Sequence, residues 1–456
     1  MTHQSPTCTL IGAGLNGPLL GMGLVQRGFR VEIYERRPDM RLVRASSGRS
    51  INLALSTRGI HALSQRGLWD DMRKIAIPMR GRMMHAVNAD LTFQPYGKDE
   101  NEVIYAISRA DLNIALINAA EKQGIEIFFQ QRCVGVDLTS GALHLRSEQD
   151  GTLSTRTSEV VIGCDGSASA VRAQIEKQGN FRGTEEHLDY GYKELTIPGV
   201  NGEHAMESHA LHIWPRGNFM LIALPNVDGT FGCILFLPFD GRDSFDELNN
   251  PAAVLQFFQS YFPDVLPLMP GLVESFFGNP TGGMVTVKCS PWHAGGRALL
   301  LGDAAHAIVP FFGQGINCGF EDCTIFFELL QRYGDTPEWE HVFAAFERAR
   351  KPDTDAIADL AVENFVEMRD RVADPGFLFR KKVELALEAR YPRQFVPKYA
   401  MVTFHRISYA LARDRGRIQD AILSELCDHI GRIEELDWGK ADQLIHKRLS
   451  LLDLAS

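Results

Sequence analysis

The chain contains 456 residues, of which 45% are hydrophobic, and carries a net charge of -10. This length and composition predict a folded protein with more than one substructure. Acidic and basic residues are interspersed along the chain, without the basic stripe that phosphate neutralisation on DNA or RNA requires. We therefore expect no nucleic acid among its partners.

Cysteine usage and hydropathy bear on the cellular location. The eight cysteines form neither a Cys-x-x-Cys pair nor a set at zinc-ligand spacing, which predicts free thiols in a reducing compartment and no metal site. The N-terminus reaches an apolar strand too soon for a secretory signal. A membrane helix needs about 20 apolar residues, but the most apolar stretch, residues 219–239, is interrupted by Pro225 and Gly229 and predicts two strands. The expected location is the cytoplasm, without a transmembrane anchor.

A glycine-rich turn near the N-terminus predicts a dinucleotide site. The strand-like residues 8–11 lead into Gly12-Ala-Gly14-Leu-Asn-Gly17, and a helical pattern covers residues 19–26. In such a turn Gly12 allows a tight bend, Gly14 lets a pyrophosphate approach the backbone, and Gly17 allows the helix to pack on the strand. The helix N-terminus attracts the anion, so no cationic side chain is required.

A second strand, residues 30–34, ends at Glu35. An acidic residue about 20 positions beyond the turn can bind the ribose of adenosine. An ordinary glycine turn between a strand and a helix is the alternative explanation. The motif also leaves open whether the dinucleotide is FAD or NAD.

Two later segments favour a flavin. A buried strand runs into an Asp-Gly pair at Asp165, which resembles the Asp-Gly signature of aromatic-hydroxylase flavoproteins, although a helix cap is the alternative for this residue. Another strand ends in a Gly-Asp pair at Asp303, and the next helix opens with Gly315, Ile316 and Asn317. In this class of flavoprotein Asp303 would accept hydrogen bonds from the ribityl hydroxyls. The helix start would direct backbone N–H groups at the flavin N1 and C2 carbonyl.

Longer motifs extend over nearly the whole chain. They occupy residues 48–56, 79–83, 94–97, 211–215, 220–225, 306–317, 363–368 and 399–404. These motifs resemble the kynurenine 3-monooxygenase family of single-component FAD-dependent aromatic hydroxylases. The resemblance implies hydroxylation of L-kynurenine to 3-hydroxykynurenine with NADPH and O2, through a flavin C4a-hydroperoxide, in tryptophan catabolism. It assigns no side chain as an obligatory acid or base.

The same resemblance implies tightly bound, non-covalent FAD, with NADPH as co-substrate and no metal. A second glycine-rich dinucleotide motif is absent, so a separate domain for NAD(P)H is not expected. The sequence leaves open the preference for NADPH over NADH. The resemblance adds further residues to the flavin site: Leu15, Arg36, Arg37, Ala54, Leu55, Arg109 and Val134.

The amino-acid end of kynurenine is a zwitterion, so its site should offer a guanidinium fork and neutral or acidic partners. Arg82 is the expected fork, and the resemblance adds Tyr96, Asn364, Glu367 and Tyr399. Arg82 and Tyr96 lie on two predicted strands, and the sequence leaves open whether their side chains share a face. Asn364 and Glu367 share one face of a helix predicted from Pro352 to about residue 368. An ordinary solvated helix face is the alternative for that pair.

Apolar residues are expected around the aromatic ring of the substrate. Alternating strands and one loop supply them: Leu211, Met220, Ile222, Leu224, Phe236 and Phe312. An apolar stripe of this kind is also what ordinary core requires, and only the resemblance favours a pocket. At residue 312 the family varies between Phe and His, so packing rather than proton transfer is expected there.

These assignments predict an α/β fold with a Rossmann-like FAD-binding domain formed by residues 1–178 and 285–332. An inserted, mostly antiparallel β-sheet substrate domain is expected at residues 179–284. A C-terminal helical region, residues 333–456, should cap the substrate site. The sequence leaves monomer and homodimer open.

Three other functions remain open at this point. The first is a hydroxylase for a different aromatic acid, which would need a carboxylate clamp but no partner for an ammonium group. The second is a flavoprotein dehydrogenase or reductase that does not use oxygen. The third is a flavin-binding protein without catalytic activity.

Overall fold

The structure is a computed structural model that describes residues 7–42, 52–88, 90–334, 337–370 and 375–454. Residues 48–51 of the motif at 48–56 lie outside these ranges. The chain divides into two compact units. The first consists of Met1–Ala76, Ile107–His187 and Val285–Ala358. The second consists of Ile77–Ala106, Leu188–Met284 and Asp359–Ser456.

The strands, in chain order, are β1 (Thr7–Ile11), β2 (Arg30–Tyr34), β3 (Asn52–Leu55), β4 (Ala76–Met79), β5 (Gly81–His85), β6 (Leu91–Pro95), β7 (Ile104–Ser108), β8 (Glu126–Phe128), β9 (Gln131–Val136), β10 (Ala142–Ser147), β11 (Leu153–Thr157), β12 (Val160–Gly163), β13 (Arg182–Ile197), β14 (Ala210–Pro215), β15 (Met220–Pro225), β16 (Phe231–Pro238), β17 (Thr281–Ser290), β18 (His293–Ala294) and β19 (Ala298–Leu300).

The α-helices, in chain order, are α1 (Asn16–Gln26), α2 (Thr57–Gln65), α3 (Trp69–Arg73), α4 (Arg109–Lys122), α5 (Ala170–Ile175), α6 (Pro251–Tyr261), α7 (Leu272–Gly278), α8 (Asp303–His306), α9 (Gly315–Tyr333), α10 (Trp339–Asp370), α11 (Pro375–Arg390), α12 (Lys398–Thr403), α13 (Tyr409–Cys427) and α14 (Trp438–Arg448). Short 3-10 turns occur at Glu176–Gln178, Leu266–Leu268, Pro310–Phe312 and Ile433–Glu435.

The first unit is built on a six-stranded sheet with the order β18-β19-β12-β1-β2-β8. From β19 to β8 the neighbouring strands run parallel. Leu10, Ile33 and Val161 on its central strands have no exposed surface, as expected for a parallel sheet that is covered on both faces. Helix α1 follows β1 and packs against β2. This is the strand–turn–helix arrangement that the glycine-rich motif predicts.

The second unit contains most of a seven-stranded sheet with the order β17-β13-β16-β15-β14-β5-β6. Strands β13 to β16 pair antiparallel, whereas β5 joins β14 in parallel. One face packs against α6 and α7 in a cluster that includes Trp214, Leu221, Leu235, Phe258 and Phe276. The stretch at 219–239 forms the two strands β15 and β16, which confirms its reading as two strands.

Helices dominate the C-terminal part of the described chain, as predicted. Apolar side chains of α11, α13 and α14 form a second cluster around Val383, Ile422 and Ile445. The predicted helix start at Pro352 was wrong, since α10 runs through this proline. Proline removes a backbone donor and normally disrupts a helix interior. Buried side chains such as Phe346 before it and Ile357 after it stabilise the continuous helix by packing.

Among the described helices, none combines the length and the apolar character that crossing a lipid bilayer requires.

The cluster between α6 and the sheet can be tested by truncation. Phe258→Ala should lower the free energy of unfolding by about 3–5 kcal/mol, because it removes a fully buried ring and leaves a cavity. Leu255→Ala on the same helix is the matched control, since this leucine is 44% exposed, and should change the free energy by less than about 0.5 kcal/mol. Chemical denaturation of both variants measures the difference, and equal losses would contradict the described packing.

Candidate active site

The turn between β1 and α1 contains two kinds of glycine. At two positions a side chain would collide with the backbone, and at a third it would face open space. Gly12 has a φ of +104°, and a Cβ there would lie 2.5 Å from the carbonyl oxygen of Cys164. A Cβ at Gly17 would lie 2.0 Å from the Gly12 carbonyl oxygen, whereas a Cβ at Gly14 would meet nothing within 4 Å. The backbone at Gly14 is therefore accessible to a bulky anion, which fits a bound pyrophosphate.

Glu35 supports this turn from the end of β2. Its buried carboxylate accepts hydrogen bonds from the backbone N–H of Ala13 at 2.8 Å and from the backbone and Nε of Arg37 at 2.8 and 2.9 Å. Burial opposes the charge, but the bonds from Arg37 and Ala13 hold the pKa of Glu35 below its usual value. The predicted ribose ligand is thus a carboxylate that the chain keeps ionised and already engages. Its contact with a ribose stays a prediction.

Asn113 is a turn residue that the sequence did not reveal. Its Nδ2 on α4 donates hydrogen bonds to the carbonyl oxygens of Ala13 and Gly14, both at 3.0 Å. An asparagine facing inwards from an apolar helix is a weak sequence signal. Its partners lie about a hundred positions away, so only the folded structure identifies them.

The two carboxylate oxygens of Asp165 fit the two roles considered for this residue, a helix cap and a ligand contact. Its Oδ2 accepts a hydrogen bond from the backbone N–H of Ala170 at 2.7 Å, which caps the start of α5. Its Oδ1 is buried and has no hydrogen-bond partner among the described residues. Burial raises the pKa of Asp165. A buried acceptor without a partner is uncommon and indicates a ligand or water.

Asp303 begins α8 directly after β19. It remains accessible to solvent although protein atoms surround it, as expected for a group on the wall of a cleft. Desolvation raises its pKa, and Arg109 and His306 oppose that shift, so the predicted flavin residues Asp303 and Arg109 interact. The preceding turn is held by buried Asp322, which accepts hydrogen bonds from the Gly302 N–H at 3.0 Å and from His306 at 2.6 Å.

The start of α9 is tied to the end of β3 by Asn317. This fully buried side chain donates to the carbonyl oxygens of Ala54 and Gly313 at 2.8 and 2.9 Å and accepts from the Ser56 N–H at 2.8 Å. The side chain therefore has a scaffold role, and any contact with flavin would come from the backbone. The first N–H groups of a helix lack intrahelical partners and carry the positive end of its dipole, which fits the proposed role of Gly315 and Ile316.

The other predicted flavin residues occupy different environments. Leu55 is fully buried on β3, and Leu15 directly precedes α1. Arg36 is exposed after β2, and Val134 on β9 is 41% exposed. The structure places these two at the surface, and their part in flavin binding stays a prediction.

In the second unit, Arg82 lies beside two stacked phenol rings. Its guanidinium carbon is 5.6 Å from the ring centroid of Tyr96 and 5.0 Å from that of Tyr399. The two rings are stacked at 5.6 Å. Strands β5 and β6 pair with Arg82 opposite Gln94, so Tyr96, two residues further, lies on the same side of the hairpin. Arg82 and Tyr96 therefore lie on the same face of the hairpin, which the sequence alone did not determine.

The electrostatics of this group favour an anionic ligand. Burial opposes the charge of Arg82, but Tyr399, Tyr96 and Glu367 together raise its pKa. Burial also raises the pKa of Tyr96, which keeps its hydroxyl protonated. The Nε of Arg82 and the hydroxyl of Tyr96 are buried without a hydrogen-bond partner among the described residues. Both can donate to a carboxylate.

Helix α10 brings two further predicted residues to the second unit. Asn364 is only 8% exposed, which rules out a solvated face at that position, and its Nδ2 lies 3.2 Å from the sulfur of Met368. Glu367 is half-buried and acts on the charge of Arg82. Lys381 on α11 was missed: burial opposes its charge, but Glu384, 2.8 Å from its Nζ, and Glu367 raise its pKa.

The apolar residues predicted for the ring end share the face of the sheet that carries Arg82. Leu211 pairs with Arg82 across β14 and β5, and Met220 pairs with Phe236 across β15 and β16. Successive side chains of a strand point to opposite faces, so Trp214 and Leu221 of the α6–α7 cluster lie on the other face. The stripe, namely Leu211, Met220, Ile222, Leu224 and Phe236, is thus separate from that core cluster. Phe312 is buried in the first unit.

Comparisons with known proteins identify the family. Residues 5–333 match the FAD binding domain family. A kynurenine 3-monooxygenase of Myxococcus xanthus is 55% identical over 98% of this chain and 96% of its own length. The chain belongs to the kynurenine 3-monooxygenase family. A member from Flavobacterium psychrophilum is 43% identical and aligns over 99% of both chains.

Solved structures show the fold. A 2-methyl-3-hydroxypyridine-5-carboxylic acid oxygenase superposes with a TM-score of 0.66 at 21% identity, covering 82% of this chain and 96% of the other. The tetracycline destructase Tet(51) gives a TM-score of 0.59 at 18% identity, with coverages of 85% and 96%. The predicted α/β fold with an FAD-binding domain is confirmed, and so is the family.

The two kinds of glycine in the turn should respond differently to substitution. In the apoprotein Gly17→Ala should lower the melting temperature, because its Cβ collides with the Gly12 carbonyl oxygen, whereas Gly14→Ala should leave it unchanged. Both variants should lose FAD affinity. Calorimetry without FAD and FAD titration measure the two effects, and an apoprotein equally destabilised by both changes would contradict the assignment.

Asp303→Ala should yield a pale protein with little FAD, since it removes the acceptor proposed for the ribityl hydroxyls. The ratio of absorbance at the flavin band to that of the protein measures the content after purification. Asp70→Ala, at an exposed position on α3, is the control and should remain yellow. A fully yellow Asp303→Ala preparation would refute this role.

Proposed function

We propose that this chain hydroxylates L-kynurenine to 3-hydroxykynurenine, using FAD, NADPH and O2, in the breakdown of tryptophan. The observation that carries the proposal is the Arg82 guanidinium beside the rings of Tyr96 and Tyr399, with Glu367 close enough to act on its charge. The curated relatives named kynurenine 3-monooxygenase support the same substrate.

The two charges of an amino-acid substrate match this arrangement. Its carboxylate would accept hydrogen bonds from the Nε of Arg82 and from the Tyr96 hydroxyl, two buried groups without a hydrogen-bond partner among the described residues. Its ammonium group would approach Glu367 and the amide oxygen of Asn364. Glu367 would give the ammonium group of an amino acid an acidic partner, which a hydroxybenzoate does not need, so the proposal favours an amino acid over a hydroxybenzoate.

The FAD-binding role is proposed for the glycine turn, Asp303 and the first turn of α9. Bound FAD, reduced by NADPH, would supply the activation of O2, from which one oxygen atom passes to the substrate and the other leaves as water. The aniline nitrogen of kynurenine makes the ortho ring carbon nucleophilic, so no side chain has to act as a general base. The residues of the chain instead orient the substrate and exclude water. The apolar stripe from Leu211 to Phe236 would provide the dry surface for the ring.

These roles assign a function to each part of the chain. We assign FAD binding to residues 1–178 and 285–332, substrate binding to residues 179–284, and closure of the substrate site to residues 333–456. The eight cysteines are free thiols, which fits the reducing cytoplasm that we propose as the location.

The activity can be tested with the purified flavoprotein. Anaerobic stopped-flow reduction by NADPH should be strongly accelerated by L-kynurenine, and aerobic turnover should yield one 3-hydroxykynurenine per NADPH oxidised. 4-Hydroxybenzoate is the control ligand and should accelerate neither step. Equal acceleration by both compounds would favour a hydroxylase for another aromatic acid. Rapid reduction without any oxygen uptake would indicate a reductase.

Arg82→Ala should weaken kynurenine binding by about 2–5 kcal/mol, as expected when one partner of a buried charge pair is removed, while FAD content stays near wild type. Isothermal titration of the oxidised enzyme measures this loss. Arg80→Ala is the matched control, because Arg80 is the exposed arginine two positions away. Unchanged affinity in Arg82→Ala would refute the proposed carboxylate contact.

A further inference from the structure

A chain of buried polar side chains crosses the face of the seven-stranded sheet opposite to Arg82. Nδ1 of His85 lies 3.0 Å from Oδ2 of Asp264, and Nε2 of His85 lies 2.8 Å from Nδ1 of His212. Nε2 of His212 lies 2.8 Å from the carbonyl oxygen of Glu207. Trp214 donates to the same Asp264 oxygen at 2.7 Å. His85 and His212 are 5% and 2% exposed, so bulk water does not satisfy these groups.

The directions of these hydrogen bonds determine the number of protons. A carbonyl oxygen only accepts, so Nε2 of His212 carries a hydrogen, and a carboxylate only accepts, so Nδ1 of His85 carries one too. Nε2 of His85 and Nδ1 of His212 then face each other at 2.8 Å. Without a proton between them, two nitrogen lone pairs would meet. The two rings together therefore hold three protons and one positive charge.

We place that charge on the ring that contacts the Asp264 carboxylate, which is the ring of His85. Burial lowers the pKa of His212 to about 4. Burial opposes the charge of Asp264, but His85 and Trp214 hold its pKa below the usual value. The remaining charged groups that face the pair are Glu207, which acts on His212, and Arg216, whose Nη1 donates to the His85 carbonyl oxygen at 2.9 Å.

The pair spans a critical junction of the sheet. Strand β6 is the edge strand and pairs with β5, and β5 joins the other strands through β14. This β5–β14 contact is a short parallel pairing of Gly81–Met84 with Ala210–Ile213. The hairpin of β5 and β6 carries Arg82 and leads into Tyr96. The bridge from His85 to His212 crosses the same junction on the opposite face.

We infer that Asp264, His85 and His212 form a proton-dependent positioning unit that holds β5 against β14 and thereby keeps Arg82 in place for the substrate carboxylate. None of the three side chains touches the substrate in this proposal. The inference rests on the proposed function for the identity of the ligand, whereas the charge on His85 does not depend on it.

The sign of the pH effect follows from the proton count. With the shared proton present, every polar atom of the chain is matched and the Asp264 carboxylate has a cation. Loss of that proton leaves two bare nitrogens facing each other and a carboxylate without its cation. The junction therefore loosens as pH rises, and affinity for kynurenine falls in that direction.

Asp264→Asn tests the link to substrate binding. It retains an acceptor for Trp214 but removes the charge, so the KM for kynurenine should rise about tenfold, with kcat and FAD content near wild type. The alkaline loss of affinity, measured against wild type at each pH to cancel titration of the substrate itself, should shift to lower pH. Asp228→Asn in an exposed turn is the control. Unchanged KM and pH profile in folded Asp264→Asn would overturn the proposal.

Two substitutions at residue 212 provide a second test that does not require Asp264→Asn to fold. His212→Gln can accept from His85 through its amide oxygen and donate to the Glu207 carbonyl through its amide nitrogen, so it should keep a KM near wild type. His212→Leu can do neither and should raise the KM about tenfold. Equal KM values in the two variants would overturn the bridging role.

The charge itself can be read by nitrogen-15 NMR of the histidine rings. In the wild-type holoenzyme at neutral pH, the His85 signal, assigned with His85→Gln, should show both ring nitrogens protonated. A neutral His85 ring would overturn the proton count. If the enzyme does not act on kynurenine, the proposed function fails, yet this ring measurement still decides the charge.

Discussion

The short parallel pairing of β5 with β14 is the constraint on which the substrate-binding unit depends. Because side chains alternate along a strand, this register directs Arg82 and Leu211 to one face and His85 and His212 to the other. A slip of β5 by one residue would move the guanidinium towards the apolar cluster around Trp214 and turn His85 away from His212. The strand register therefore determines where Arg82, the residue expected to bind the substrate carboxylate, is placed.

The two faces of this sheet have different roles, since one packs as a stable core and the other carries the residues proposed to bind the substrate. The face that packs on α6 and α7 is a continuous core around Leu221, Phe258 and Phe276, which supplies stability. The face that carries Arg82 holds a charge and a partly exposed apolar stripe, which a stable core would not tolerate. Tyr96 and Tyr399 lower the free-energy cost of burying the Arg82 guanidinium, because the electron-rich faces of aromatic rings attract a cation.

In the unit expected to bind the flavin, backbone groups rather than side chains are the main expected ligand contacts. Its glycine turn and the helix start at Gly315 would offer backbone N–H groups rather than cationic side chains to the expected ligand. Such groups must be held rigidly to bind well, and buried polar side chains hold them. Asn113 fastens the glycine turn, Asn317 fastens the helix start, and Asp322 fastens the Gly302 N–H. Breaking any one of them would leave buried donors or acceptors unmatched.

The sequence by itself determined the local features whose physics is short-ranged. A strand, a tight glycine turn and a helix depend on neighbouring residues, so the β1–α1 motif, the strands around residues 219–239 and the helical C-terminal part could be predicted. The helix boundary at Pro352 could not, because packing on both sides of the proline outweighed its local effect. Only the tertiary structure decided which distant groups meet, including Asn113 at the turn, Lys381 near Glu367, and the shared face of Arg82 and Tyr96. Those contacts depend on strand register and on helix packing between segments that are far apart in the chain, and no local pattern of residues encodes them.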